Sequence, residues 1–319
     1  MGQVMDTLAV VLEGPERLAL ARLSLCEVAP EDVVVDIEWS GISTGTERLL
    51  WSGRMPPFPG MGYPLVPGYE SVGRISALGA AVAGTRRLGE RVFVPGARCY
   101  GEVRGLFGGA ASRVVVPAAR VTAIDESLGE SAVLLALAAT ARHALAAPGA
   151  RPPELIVGHG VLGRLLARVA LAEGAFAPTV WERDAARARS DGLYTVVAPD
   201  DDPRRDYRAV YDVSGDAAIL DGLLDRLAPG GEITLAGFYP GALSFDFPKA
   251  FMREARFRIA AEWKDSDMKA VLAHIDAGRL SLDGLVTHRQ DAAEAAQAYR
   301  RAFEDTACLK MILDWRHAA

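Results

Sequence analysis

The chain has 319 residues, half of them hydrophobic, with a formal net charge of −6. That length suits two domains of ordinary size, and the acidic balance argues against a nucleic-acid partner, which would want a basic face. No run reaches the ~18 clean apolar residues of a membrane span, and Asp6, Glu13 and Glu16 stand where a signal peptide would want an apolar block, so a cytoplasmic protein is expected.

Up to about residue 120 the chain is rich in Gly, Pro and β-branched residues. Strand-like runs recur at 8–12, 33–39, 71–77, 91–94 and 112–116, separated by turn signals such as PPFPGMGYPLVPG (56–68). This pattern predicts an irregular, mostly β domain. Around Leu128 the pattern changes. Residues 130–147 read as helix and 148–153 as loop, and strands then alternate with helices.

The sharpest signal is ELIVGHGVLG (154–163), an apolar strand that runs into Gly158-x-Gly160-x-x-Gly163. A helical stretch follows at 164–173, then a second strand at 177–181 closed by the acidic Glu182. Glu182 comes at the distance a dinucleotide-binding βαβ unit needs. The first glycine permits the tight turn, the second lets backbone approach a pyrophosphate, and the third lets helix pack on strand. Backbone of Gly158, His159, Gly160, Val161, Leu162 and Gly163 is expected on the pyrophosphate, at a helix N-terminus with free N–H groups. His159 is either close to that phosphate or a spacer between glycines. Glu182 is expected on the adenosine ribose hydroxyls, which favours NAD over NADP; Arg183 beside it is a residue that could hold a 2′-phosphate. Thr140, Ser214 and Gly237 complete the expected cofactor set.

Beyond the fingerprint come a strand at 207–213, a helix at 217–227 and a strand at 231–237. Alternating β and α predicts a doubly wound parallel sheet, so the fold class is α/β. The tail carries helices at 267–277 and 292–304 around a short strand, and a last strand at 308–313. The expected division is 1–125 completed by 265–319, with 126–264 between. Cys26, Cys99 and Cys308 lie far apart with no CxxC, and no histidines are paired at metal spacing.

The layout resembles the medium-chain dehydrogenase/reductases, in which a GroES-like β domain is completed by the C-terminal tail and a Rossmann domain sits between. Gly41-Ile42, Pro67-Gly68-x-Glu70-x-x-Gly73, Gly89-Glu90-Arg91-Val92, Asp212-Val213-Ser214-Gly215 and Pro229-Gly230-Gly231 with Gly237 carry the likeness. Zinc members bind catalytic zinc with a Cys in "GxCGxD" and a His in "GHE"; here Ser43 and Tyr69 stand in those places. Alignment on His143 puts Ala136 at the usual third-ligand Glu, and the four-Cys lobe is missing. The resemblance therefore implies a zinc-free enzyme, because hydroxyls and an alanine make no zinc site.

Within the superfamily, residues 39–74, RGLFGGAAS (104–112), LLALAATARHAL (134–145), HGVLGRLLAR (159–168) and FPKAFMREARFRIAAEW (247–263) are similar to the bacteriochlorophyllide a dehydrogenases. That likeness implies NAD-dependent oxidation of a 1-hydroxyethyl group on a bacteriochlorophyllide to 3-acetyl, in a homodimer. A proton acceptor or relay is then needed. Candidates stand at the vacated zinc positions: Tyr69 and Glu70 first, with Ser43 and Thr46. Thr140 and His143 are second choices. Trp51, Met55, Phe58, Met61 and Tyr63 would give a flat tetrapyrrole an apolar slot, with Phe238-Tyr239 and Phe251-Met252 as another wall. Arg48, Arg54, Lys249 or Arg253 could pair with its propionate. The competing readings are a zinc-free NADPH quinone or enone reductase, an S-adenosylmethionine methyltransferase, and a nucleotide-binding module without turnover.

Overall fold

The structure is a computed structural model, and the residues described are 5–57, 59–82, 84–189 and 192–318. The chain divides into two compact units: the residues up to Leu135 with the tail from Asp283, and Ala136–Leu282 between them.

The first unit is built around Asp32–Ile42, a strand whose valines and isoleucines are all buried. Such a strand needs partners on both sides, and it has them. It lies between Lys310–Asp314 and Ser71–Leu78 in the order Val286–Asp291, Lys310–Asp314, Asp32–Ile42, Ser71–Leu78, Arg91–Val94, Thr122–Ala123; Arg113–Pro117 pairs with it as well. A second sheet runs Arg17–Ser24, Asp6–Gly14, Leu65–Val66, Arg104–Gly105. Two strands of the first sheet come from the far end of the chain. The helix Ala295–Glu304 turns Ala295, Ala298, Tyr299, Ala302 and Phe303 inward at helical spacing, into the same core as Val35, Val92 and Met311.

The second unit is a six-stranded parallel sheet in the order Thr195–Val197, Thr179–Trp181, Leu155–Val157, Tyr207–Asp212, Leu227–Leu235, Arg256–Ile259. In chain order this is 3-2-1-4-5-6, the doubly wound dinucleotide arrangement expected from the sequence. Leu155, Ile156 and Val157 are all buried, as a central parallel strand requires. The order reverses between Leu155–Val157 and Tyr207–Asp212, which marks the crevice where ligands of such sheets bind.

The helix expected at 130–147 is a 3₁₀ stretch, Glu126–Leu134, followed by an α-helix, Leu135–Leu145. Gly129, at φ 51°, breaks the first part. The helix expected at 217–227 stops at Leu224 because Leu227 already pairs with Tyr207 in the sheet. The helix Asp265–Asp276 belongs to the second unit, where Asp267 binds Arg142 at 3.0 Å and His143 at 2.8 Å. The unit boundaries therefore lie at 135/136 and 282/283, against 125/126 and 264/265 drawn from the sequence.

Candidate active site

In the second unit the glycine turn has the geometry a nucleotide needs. Gly158 has φ 102°, which suits glycine alone among common residues. A Cβ on Gly163 would meet the Gly158 carbonyl oxygen at 1.9 Å, so the helix Val161–Ala172 packs on the turn only without a side chain there. A Cβ on Gly160 would meet nothing within 4 Å, which leaves an open approach to backbone at the helix N-terminus. The residues present fit a dinucleotide.

Glu182 is held by backbone: Oε1 accepts from Asp184 N at 2.9 Å and Oε2 from His159 N at 3.3 Å. Each carboxylate oxygen keeps a lone pair for a ribose hydroxyl. The buried His159 ring is an anchor, a role the sequence did not suggest. Its Nδ1 lies 2.7 Å from the Arg187 carbonyl and its Nε2 2.9 Å from the Tyr194 hydroxyl, which ties the loop after Glu182 to the glycine turn. Arg183 is largely exposed, 3.8 Å from Asp216. Ser214 donates its N–H to Asp212 at 2.8 Å, and Gly237 donates to the Asp212 carbonyl at 3.1 Å. Thr140 turns its hydroxyl back to the Ala136 carbonyl at 2.9 Å. Tyr239 donates to the buried Asp212 carboxylate at 2.7 Å, whereas Phe238 is exposed.

In the first unit the hydroxyls at the vacated zinc positions meet. Ser43 Oγ and the Tyr69 hydroxyl are 2.6 Å apart, and the Tyr69 ring stands edge-on to Phe107. Burial and the Glu70 charge push the Tyr69 phenol well above its ordinary range, while hydrogen bonds to Ser43 and Thr46 pull it back. It is therefore neutral at physiological pH and can relay a proton but not act as a free base. Glu70 points elsewhere. Its Oε2 binds Lys310 Nζ at 2.6 Å, both side chains being fully buried, and Oε1 has no hydrogen-bond partner. Burial pushes its carboxyl up, with the Lys310 ammonium pulling it down. A Cβ on Gly41 would come within 2.2 Å of Glu70 Oε2, so this glycine makes room for the pair.

Three members of this cluster were missed in the sequence: Glu47, Tyr299 and Lys310. A lone lysine in the apolar run CLKMILDW was the available signal for the last. Glu47 is fully buried; Oε1 accepts from Ser43 N at 3.0 Å and Oε2 from the Tyr299 hydroxyl at 2.6 Å. Burial raises its carboxyl from 4.5 to about 7, against the hydrogen bonds from Tyr299 and Ser43. Folded protein then binds more protons than unfolded chain between about pH 4.5 and 7, so stability falls as pH rises through that window. The expected loss is about 3 kcal/mol. Glu47→Gln should flatten this dependence in urea unfolding at pH 5 and pH 8; an unchanged slope would show that another group sets it.

Of the expected substrate residues, Trp51 packs on Phe303 with ring centroids 5.5 Å apart. Met61 and Tyr63 lean on the cluster of Leu12, Leu50, Leu65 and Leu106, and the Tyr63 hydroxyl donates to the Leu50 carbonyl. Phe58 lies outside the described residues. Lys249 is paired with Asp225 at 2.8 Å and Arg253 donates to the Leu227 carbonyl, whereas Arg48 and Arg54 are exposed. Among the described residues no group of three or more His, Cys, Asp or Glu could hold a metal ion, and no helix is long and apolar enough to cross a membrane.

The family profile of the alcohol dehydrogenase GroES-like domain matches residues 29–126. The 2-desacetyl-2-hydroxyethyl bacteriochlorophyllide A dehydrogenase of Rhodobacter capsulatus is 56% identical over 315 residues, 98% of this chain and 100% of that one. The protein of the same name from Cereibacter sphaeroides is 56% identical over 320 residues, 99% and 100% of the two chains. Among solved structures, a short chain alcohol dehydrogenase of Escherichia coli CFT073, complexed with NADH, superposes with a TM-score of 0.82 at 21% identity, covering 97% of this chain and 99% of that one. The last likeness shows the fold; with the first two, the chain belongs to the 2-desacetyl-2-hydroxyethyl bacteriochlorophyllide A dehydrogenase family, oxidoreductases with a GroES-like unit and a doubly wound nucleotide unit.

Proposed function

We propose that the chain oxidises the hydroxyethyl group of a bacteriochlorophyllide to acetyl with NAD, without zinc, as a cytosolic homodimer. The observation that carries this reading is the 56% identity over 98% of the chain to a relative of that name. The substrate's carbinol carbon loses a hydride and its hydroxyl loses a proton; the products are the ketone, NADH and a proton. Bound NAD supplies the carbon that accepts the hydride.

The chain's own part is binding and proton movement. The turn from Gly158 to Gly163 offers backbone N–H groups to the pyrophosphate, and Glu182 offers carboxylate oxygens to the ribose. The Ser43–Tyr69 hydroxyl pair takes the alcohol proton and passes it on, with Thr46 as the third hydroxyl. These side chains are poor metal donors, which supports a zinc-free reaction. The macrocycle joined to the carbinol carbon can spread the charge left by the departing hydride. The exposed Phe247, Phe251, Met252 and Ile259 by the open edge strand Arg256–Ile259 support the homodimer, which light scattering would test.

The test is the purified protein with 3-(1-hydroxyethyl)bacteriochlorophyllide a and NAD, followed at the pigment's red band and at NADH. The expected result is a band shift matched by NADH and insensitive to a zinc chelator. No shift with either NAD or NADP would remove the tetrapyrrole reading and favour quinones or enones. A chelator-sensitive shift would remove the metal-free part.

A further inference from the structure

Two loops flank the glycine turn at the end of Leu155–Val157. One follows Trp181 and carries Glu182 and Arg183; the other follows Asp212 and carries Ser214, Gly215 and Asp216. The strand between them, Leu155–Val157, pairs with Thr179–Trp181 on one side and Tyr207–Asp212 on the other, and it ends in the glycine turn. The ion pair from Arg183 Nη1 to Asp216 Oδ2, 3.8 Å, therefore runs across the front of that turn.

Asp216 is fixed in place. Its N–H donates to Ser214 Oγ at 3.1 Å, and its Oδ1 accepts from Ala218 N at 3.0 Å, capping a 3₁₀ turn. Gly215 before it has φ 70°, so the loop is bent by a residue suited to that conformation. With Oδ1 committed, Oδ2 is the oxygen that meets Arg183. Arg183 stands between Glu182 and Asp184 in the sequence, and the carboxylate that faces its guanidinium is that of Asp216.

We propose that Asp216 is a specificity-determining residue for the nucleotide: by pairing with Arg183 it removes the cation that a 2′-phosphate would need beside the ribose. This deepens the NAD reading above and rests on it. Discrimination between two ligands comes as much from a repulsive group set against the wrong one as from contacts to the right one. Glu182 alone would leave Arg183 free to receive a phosphate. With Asp216 present, a 2′-phosphate meets a carboxylate beside the guanidinium, which offsets part of the cation's attraction for the dianion.

The test is calorimetric binding of ADP-ribose and 2′-phospho-ADP-ribose to the intact chain, with kcat/KM for NAD and NADP beside it. Asn keeps the capping acceptor, so Asp216→Asn should preserve the loop. In Asp216→Asn the ratio of the two dissociation constants should move about three- to fivefold toward the phosphorylated ligand, the worth of one exposed ion pair. Adding Arg183→Ala should cancel that gain. If the unsubstituted protein prefers ADP-ribose and Asp216→Asn leaves the ratio where it was, the role of Asp216 is overturned and the NAD reading stands. A gain that survives Arg183→Ala also overturns it. If the unsubstituted protein already prefers the phosphorylated ligand, the NAD reading falls and the proposal falls with it.

Discussion

Lys310→Met should destabilise the protein by about 3–5 kcal/mol in urea unfolding at pH 7. Lys310 Nζ sits 2.6 Å from Glu70 Oε2 and 3.2 Å from the Ile42 carbonyl, and both charged side chains are out of water. Methionine fills much the same space but leaves the Glu70 carboxylate without its counter-charge, and the other Glu70 oxygen already has no partner. A lone buried charge costs far more than the net worth of the pair it came from. The variant's carboxyl should respond by taking up a proton. Its folded pKa then lies above its unfolded one, so the deficit should be largest above neutrality and shrink toward pH 5. Glu70→Gln/Lys310→Met should recover most of the loss, because two neutral side chains leave no charge to compensate. A loss under about 1 kcal/mol, or one that does not vary with pH, would mean that water reaches Glu70 and that the pair is not buried.

The same pair shows what the sequence could and could not reveal. The nucleotide half was legible because its signals are local. A short apolar strand, three spaced glycines, an amphipathic helix and an acid lie within one continuous stretch, and the physics of that turn does not depend on the rest of the chain. Lys310 and Glu70 are 240 residues apart, and they meet only because Lys310–Asp314 pairs antiparallel with Asp32–Ile42, setting Met311 opposite Ile42. Nothing in either segment states that register. Glu47 looks like an ordinary first-turn acid of the helix Thr46–Trp51, a place where acids are favoured and usually wet. It is buried because Tyr299, on a helix from the tail, closes over it. The edge strands Thr195–Val197 and Arg256–Ile259 escaped for a related reason. Each pairs on one side only, so polar and charged residues are tolerated, and RFRI does not look like the core strands beside it.

Under the proposed proton path, Tyr69→Phe should lower kcat by about 10²–10⁴-fold, the usual worth of one proton-transfer group. The substitution removes one oxygen and keeps the ring that stands edge-on to Phe107, centroids 5.3 Å apart. Stability should fall by only about 1 kcal/mol, since the hydroxyl's partner is Ser43 Oγ at 2.6 Å. Large loss of rate with little loss of stability separates a relay from a structural hydroxyl. Ser43→Ala should give a loss of the same order. The double variant should be little worse than either single one, because two members of one relay fail together. The phenol's raised pKa adds a second check: below pH 10 the rate of the unsubstituted enzyme should show no limb that disappears in Tyr69→Phe. If Tyr69→Phe instead keeps kcat within about threefold, the hydroxyl pair does not carry the proton. The alcohol would then have to lose it to another group, and His143, which lies 2.8 Å from Asp267 in a base-and-carboxylate arrangement, would be the side chain to replace next.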